Sequence, residues 1–133
     1  MLLNVQKPAR YIGGEHNSIV KDKNKVDLRF AFCFPDTYEI GMSHLGMKIL
    51  YSVVNERNDA WCERVFAPCI DMEEKMLEND IPLYALESMD PVSEFDFIGF
   101  TLQYELSYTN VLNMLKMSGI PLRSADRTEL KNI

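Results

Sequence analysis

Apolar residues recur along this chain with two different periods, and the places where the period changes divide it into elements. The strongest run is Leu28-Arg29-Phe30-Ala31-Phe32-Cys33-Phe34. Phe30, Phe32 and Phe34 fall on one side and Arg29, Ala31 and Cys33 on the other, which is the two-residue alternation of a strand. One side is aromatic and the other small and mostly apolar, so this strand is expected to be covered on both faces, as in a parallel sheet. Pro35-Asp36 stops the run and a short polar loop follows. Leu45, Ile49, Leu50, Val53 and Val54 then recur at helical spacing. They predict a helix over 44–57 with Ser43 as its N-cap.

The same alternation of periods continues. Residues 61–66 predict a second strand closed by Ala67-Pro68, and 69–79 a helix with Cys69, Met72 and Met76 on one face. Residues 81–86 predict a third strand, placed at an edge because Pro82 cannot donate to a ladder. After an Asp90-Pro91 turn, 95–102 predict a fourth strand, in which Gly99 marks close approach by another element. Residues 107–118 predict a last helix, with Tyr108, Val111, Leu112 and Leu115 inward and Gly119 as its stop. Residues 1–25 predict an arm, broken by Pro8 and jointed at Gly13-Gly14. Its Lys21-Asp22-Lys23-Asn24-Lys25 run reads as a solvated lead-in turn or, less simply, as an anion-binding patch that Asp22 interrupts.

The order β-α-β-α-β-β-α calls for an α/β fold. With right-handed crossovers it becomes a truncated doubly wound, mostly parallel sheet of order 3-2-1-4 with helices on both faces. The direction of winding changes between strands one and four, and ligands of such folds sit at the carboxyl ends of the strands flanking that point. By position, the crevice residues are Asp36, Thr37, Tyr38, Ser43, His44, Gln103, Tyr104 and Glu105. His44, at the mouth of the first helix, is either a metal or anion contact or a capping and packing residue. Asp36 and Glu39 are either a general acid/base pair or solvated loop carboxylates. Tyr38, Tyr104 and Tyr108 either stack on a flat cofactor or belong to a half-buried core.

Composition narrows the choice. At 133 residues the chain is one domain, and 47% hydrophobic with 26% charged residues is ordinary globular composition. A net charge of −6 argues against direct nucleic-acid binding, which needs clustered Lys and Arg. The 3 cysteines, Cys33, Cys62 and Cys69, form neither a disulfide framework nor a paired metal motif. No apolar run is long enough to span a bilayer, and the N-terminus lacks the build of a signal peptide, so a cytoplasmic location is expected. No glycine-rich phosphate loop and no nucleophile elbow occurs.

Four stretches carry a resemblance: VQKPARYIGGE at 5–15, FPDTYEIGMSHLGMKILY at 34–51, ERVFAPCIDME at 63–73 and FDFIGFTLQYELSYTNVLNML at 95–115. Together they resemble the N-terminal region of a family of radical SAM proteins with a cobalamin-binding-like domain ahead of the radical SAM barrel. The resemblance implies a Rossmann-like, cobalamin-binding-type domain over 26–133, itself a piece of a longer chain. Its crevice would hold cobalamin through Asp36, Tyr38, Ser43, His44, Gln103 and Tyr104. The loop that supplies a cobalt-ligating histidine in many cobalamin domains, D-x-H-x-x-G, is approached only by Gly41-Met42-Ser43-His44-Leu45-Gly46, which lacks the Asp and is one residue short after the histidine. The C-x-x-x-C-x-x-C triplet of radical SAM proteins is absent. The resemblance therefore assigns the 4Fe–4S cluster and S-adenosylmethionine to a downstream barrel, which is the implied partner. The alternative is a cofactor-free scaffold that positions that barrel. Cut from its later strands, the fragment is expected to dimerise through an unpaired edge.

Overall fold

The computed structural model describes residues 2–128. Among them β1 (Leu28–Phe34), α1 (Tyr38–Ser43), α2 (Leu45–Asn55), β2 (Ala60–Phe66), α3 (Ile70–Glu78), β3 (Phe97–Phe100) and α4 (Ser107–Met117) follow in order. The sheet is three-stranded and all parallel, in the order β2-β1-β3. β1 pairs with β2 along its whole length, Leu28 opposite Ala60 through Phe34 opposite Phe66. On its other side Phe30 to Cys33 pair with Phe97 to Phe100.

The two sides of β1 lead into two cores. Phe32 and Phe34 pack with Met47, Tyr51, Cys62 and Phe66 beneath α1 and α2. Ala31 and Cys33 pack with Val65, Met72, Met76, Met114 and Met117 beneath α3 and α4. Small strand residues on that second face leave room that flexible methionines fill. Two glycines set close approaches. A Cβ on Gly99 would lie 2.6 Å from Phe30 Cζ, and one on Gly41 would lie 2.2 Å from Phe66 Cε1.

The expected order 3-2-1-4 is corrected to three strands, because 81–86 does not join the sheet. Within that stretch only Tyr84 makes a bridge, an isolated antiparallel one to Pro91. Pro82 has no N–H to give, and Leu83 N–H donates instead to Met117 C=O (3.0 Å). The segment still runs beside β2, where Leu86 N–H donates to Arg64 C=O (2.9 Å).

Three further expectations are corrected. Residues 38–43, expected as loop, form α1. The N-cap of α2 is His44 and not Ser43, whose hydroxyl donates to Glu39 C=O (2.7 Å) at the end of α1. Finally, the apolar stripe of α2 faces outward: Leu45, Ile49, Leu50 and Val53 are exposed, while Met47, Tyr51 and Asn55 are buried. In α4 likewise, Tyr108 and Leu112 are exposed and Met114 and Met117 are inward. Both helices are apolar on more than one side, so periodicity alone leaves the buried side open.

The two margins of the sheet differ. β2 lies at a margin, yet every one of its residues is buried. Side chains replace the missing neighbour strand. The Asn55 amide donates to Cys62 C=O (2.9 Å) and accepts from Cys62 N–H (3.0 Å). A Glu87 carboxylate oxygen accepts Arg64 N–H (2.7 Å). Lys21 donates to the carbonyls of Asn55, Arg57 and Ala60 at 2.9, 2.6 and 2.7 Å, so the head of the lysine run is a structural strut. Asn55→Ala orphans both backbone groups of Cys62, and we expect it to lower unfolding free energy by about 2–4 kcal/mol, read by urea titration of the far-UV CD signal.

Candidate functional site

The crevice lies where β1 and β3 end. Pro35 and Asp36 leave β1, and Thr101 to Glu105 leave β3. The structure brings two of the expected residues together: Tyr104 Oη donates to Asp36 Oδ2 at 3.4 Å, on the surface. Asp36 Oδ1 also accepts the N–H of Thr37 (2.7 Å), and Asn110 of α4 donates to Pro35 C=O (2.8 Å). These contacts hold the β1 turn against the loop after β3 and the start of α4. Thr101 Oγ1, at the end of β3, is buried and has no hydrogen-bond partner among the described residues.

Of the other expected residues, His44 and Tyr38 are engaged by neighbours of their own. His44 Nδ1 accepts Met47 N–H (3.1 Å), capping α2, and its ring lies 5.3 Å from that of Phe34. Tyr38 turns the other way. Its ring meets Phe66 edge-on at 5.4 Å and its hydroxyl donates to Glu15 (2.7 Å). Burial, with the Glu15 carboxylate beside it, pushes the Tyr38 phenol up to about 12. Ser43 and Gln103 are exposed. Glu39 forms an ion pair with Arg10 (2.7 Å), away from Asp36.

Sequence reasoning missed two clusters of buried and half-buried charge, one on each face of the sheet. On the α2 side of β2, Arg64 bonds Glu87 through Nε and Glu15 through Nη2 (2.8 Å), with its guanidinium 5.0 Å from the Tyr51 ring. Burial pushes the Glu87 carboxyl up against the pull of Arg64. Burial also pushes Glu15 up, but the Tyr38 and Arg64 contacts outweigh it and its carboxyl lies below the usual range. On the opposite side, Arg29 bonds Glu63 (2.6 Å) and Asp90 (2.9 Å), and its guanidinium lies 4.3 Å from the Phe95 ring. No local pattern announces these pairs, since their members are far apart in sequence. The available hint was adjacent opposite charges, Glu63-Arg64, inside an otherwise apolar strand.

The family described as "Radical SAM proteins, N-terminal" matches residues 46–133. The chain belongs to that family. No curated protein and no solved structure matches it. Membership in a radical SAM family implies a 4Fe–4S cluster, S-adenosylmethionine and a downstream radical SAM domain in the parent protein.

The residues of this N-terminal domain do not fit the cluster. Cys33 and Cys62 are fully buried in opposite cores, and Cys69 sulfur accepts from Arg10 (2.9 Å). Burial pushes the Cys62 thiol up to about 12 and Cys33 up as well, which suppresses the thiolate a metal would need. Among the described residues no group of three or more His, Cys, Asp and Glu side chains is placed to hold a metal ion. No described helix is long and apolar enough to cross a membrane. His44→Ala should cost about 0.5–2 kcal/mol as a lost N-cap, whereas exposed Tyr104→Phe should stay within about 0.5 kcal/mol of the parent sequence. Urea denaturation of the two variants checks both.

Proposed function

We propose that this domain acts as a cofactor-free interaction module, which positions the downstream radical SAM domain through the open margin of its sheet. The observation that carries the reading is the difference between the two margins. β2 is sealed by Asn55, Glu87 and Lys21. β3 has no such cover among the described residues. Thr101 N–H donates to Cys33 C=O (3.2 Å), and Ile98 and Phe100 stand opposite Ala31 and Cys33, so strand alternation turns the backbone groups of Ile98 and Phe100 outward, and no side chain caps them among the described residues. Exposed apolar side chains occur on β3 and on the segments that follow it: Phe97 is 47% exposed, and Leu102, Leu106, Tyr108 and Leu112 are exposed as well. An unpaired margin flanked by apolar surface is suited to being covered by protein.

The competing reading is a corrinoid held at the crevice by Asp36, Tyr38, Ser43, His44, Gln103 and Tyr104. The unpartnered hydroxyl of Thr101 favours some ligand there. Against it stands His44, whose Nδ1 is engaged by backbone, and Tyr38, which is bonded to Glu15.

Calorimetric titration of this chain into the remainder of the parent protein separates the two. The interaction reading expects a complex that Phe97→Lys and Leu112→Lys each weaken at least about tenfold, and that His44→Ala leaves intact. The same surface should make the chain alone self-associate in light scattering, with Phe97→Lys shifting it toward monomer. Absence of any complex would overturn the reading, as would hydroxocobalamin binding by the parent that His44→Ala abolishes.

A further inference from the structure

On the α2 side of the sheet, away from the β3 margin, a cavity of about 340 Å³ opens between the arm, α1, α2 and β2. That volume is within the range of small-molecule sites. Its floor includes Arg64, whose side chain is 7% exposed. A guanidinium has five N–H donors, and Arg64 uses them unevenly. Nε is taken by Glu87 and Nη2 by Glu15. Among the described residues Nη1 has only the Met42 sulfur, at 3.1 Å. A thioether is a weak acceptor, so a buried cation holds under-used donor capacity at a cavity wall.

The other unspent polar groups around the cavity are also chiefly donors. Lys48 and His16 line it, and neither side chain has a partner among the described residues. Glu15 lines it too, but both of its oxygens are engaged, one by Tyr38 and one by Arg64. Ile19, Met42 and Met47 supply an apolar wall. An occupant that matches this lining has an anionic head and a short apolar body.

We propose that this cavity binds a small organic anion, with its carboxylate or phosphate oxygens on Arg64 Nη1, Lys48 and His16 and its aliphatic part against Ile19, Met42 and Met47. Charge-assisted bonds from Arg and Lys to such oxygens are the strong class of hydrogen bond. Arg64 already faces two carboxylates, Glu15 and Glu87, so the exposed Lys48 supplies the additional positive charge and the exposed His16 ring a further hydrogen-bonding group. The site stands independently of the interaction reading, because it uses neither β3 nor α4.

The test is a titration of the isotopically labelled chain, followed by amide NMR shifts, with butyl phosphate, valerate and 1-pentanol in parallel. At least one of the two anions should shift a common set of signals around Glu15, Met42, Lys48 and Tyr51, and 1-pentanol should not. Tighter binding of butyl phosphate assigns the site to phosphate esters; tighter binding of valerate assigns it to carboxylic acids. Lys48→Ala, a surface change that leaves the core untouched, should weaken the anion about tenfold, while Lys116→Ala on α4 should not. The proposal is overturned if neither anion gives localised shifts, if 1-pentanol shifts the same signals equally, or if Lys48→Ala leaves the affinity unchanged.

Discussion

The rest of the structure depends on a strand at the sheet margin being buried along its entire length. A three-stranded sheet has two margins and only one inner strand. β2 nevertheless behaves as an inner strand, because the outward backbone groups of Cys62 and Arg64 are taken by Asn55, Glu87 and Leu86. Buried backbone groups left unpaired are costly, so these few side chains decide whether this margin can be dry. They also explain why the segment after α3 lies where it does. Glu87 follows Arg64, and Ser88 and Asp90 follow Glu63 and Arg29, so that one loop is fastened on both faces of the sheet.

That fastening uses buried ion pairs, which are poor sources of net stability but expensive to break. Glu63 is fully buried and accepts from Arg29 and from Ser88 N–H. Arg64 is nearly so, between Glu87 and Glu15. Their value is positional. A slip of one residue in β2 would exchange Glu63 and Arg64 between the two cores and leave each without its partners. The sealed margin thereby leaves β3 as the only side on which this sheet is open among the described residues, and an N-terminal domain of a radical SAM protein has the remainder of that protein to meet.

The inner strand was legible because its aromatic and small residues alternate over its full length. Its placement between β2 and β3 followed from the handedness of crossovers. α3 and α4 were legible from spacing and from Gly119. α1 was not: Tyr38 to Ser43 has the composition of a loop, and Gly41 is there because Phe66 leaves no room for a Cβ. The side of α2 that is buried was misread for a related reason. Its most regular apolar stripe faces outward, while the inward side carries Asn55, a polar residue needed at β2. At the candidate site, topology correctly brought Asp36 near Tyr104. It could not foresee that Tyr38 would turn to Glu15, or that Glu15, Arg64 and Glu87 would gather, since those contacts join the arm, a strand and a loop with no shared local pattern.

Hydrogen–deuterium exchange at single amides tests the asymmetry of the two margins most directly. The account predicts that the amides of Cys62 and Arg64 exchange as slowly as those of β1, and that those of Ile98 and Phe100 in the isolated monomer exchange far faster. Rapid exchange at Cys62 and Arg64, or equal protection along β2 and β3, would contradict it.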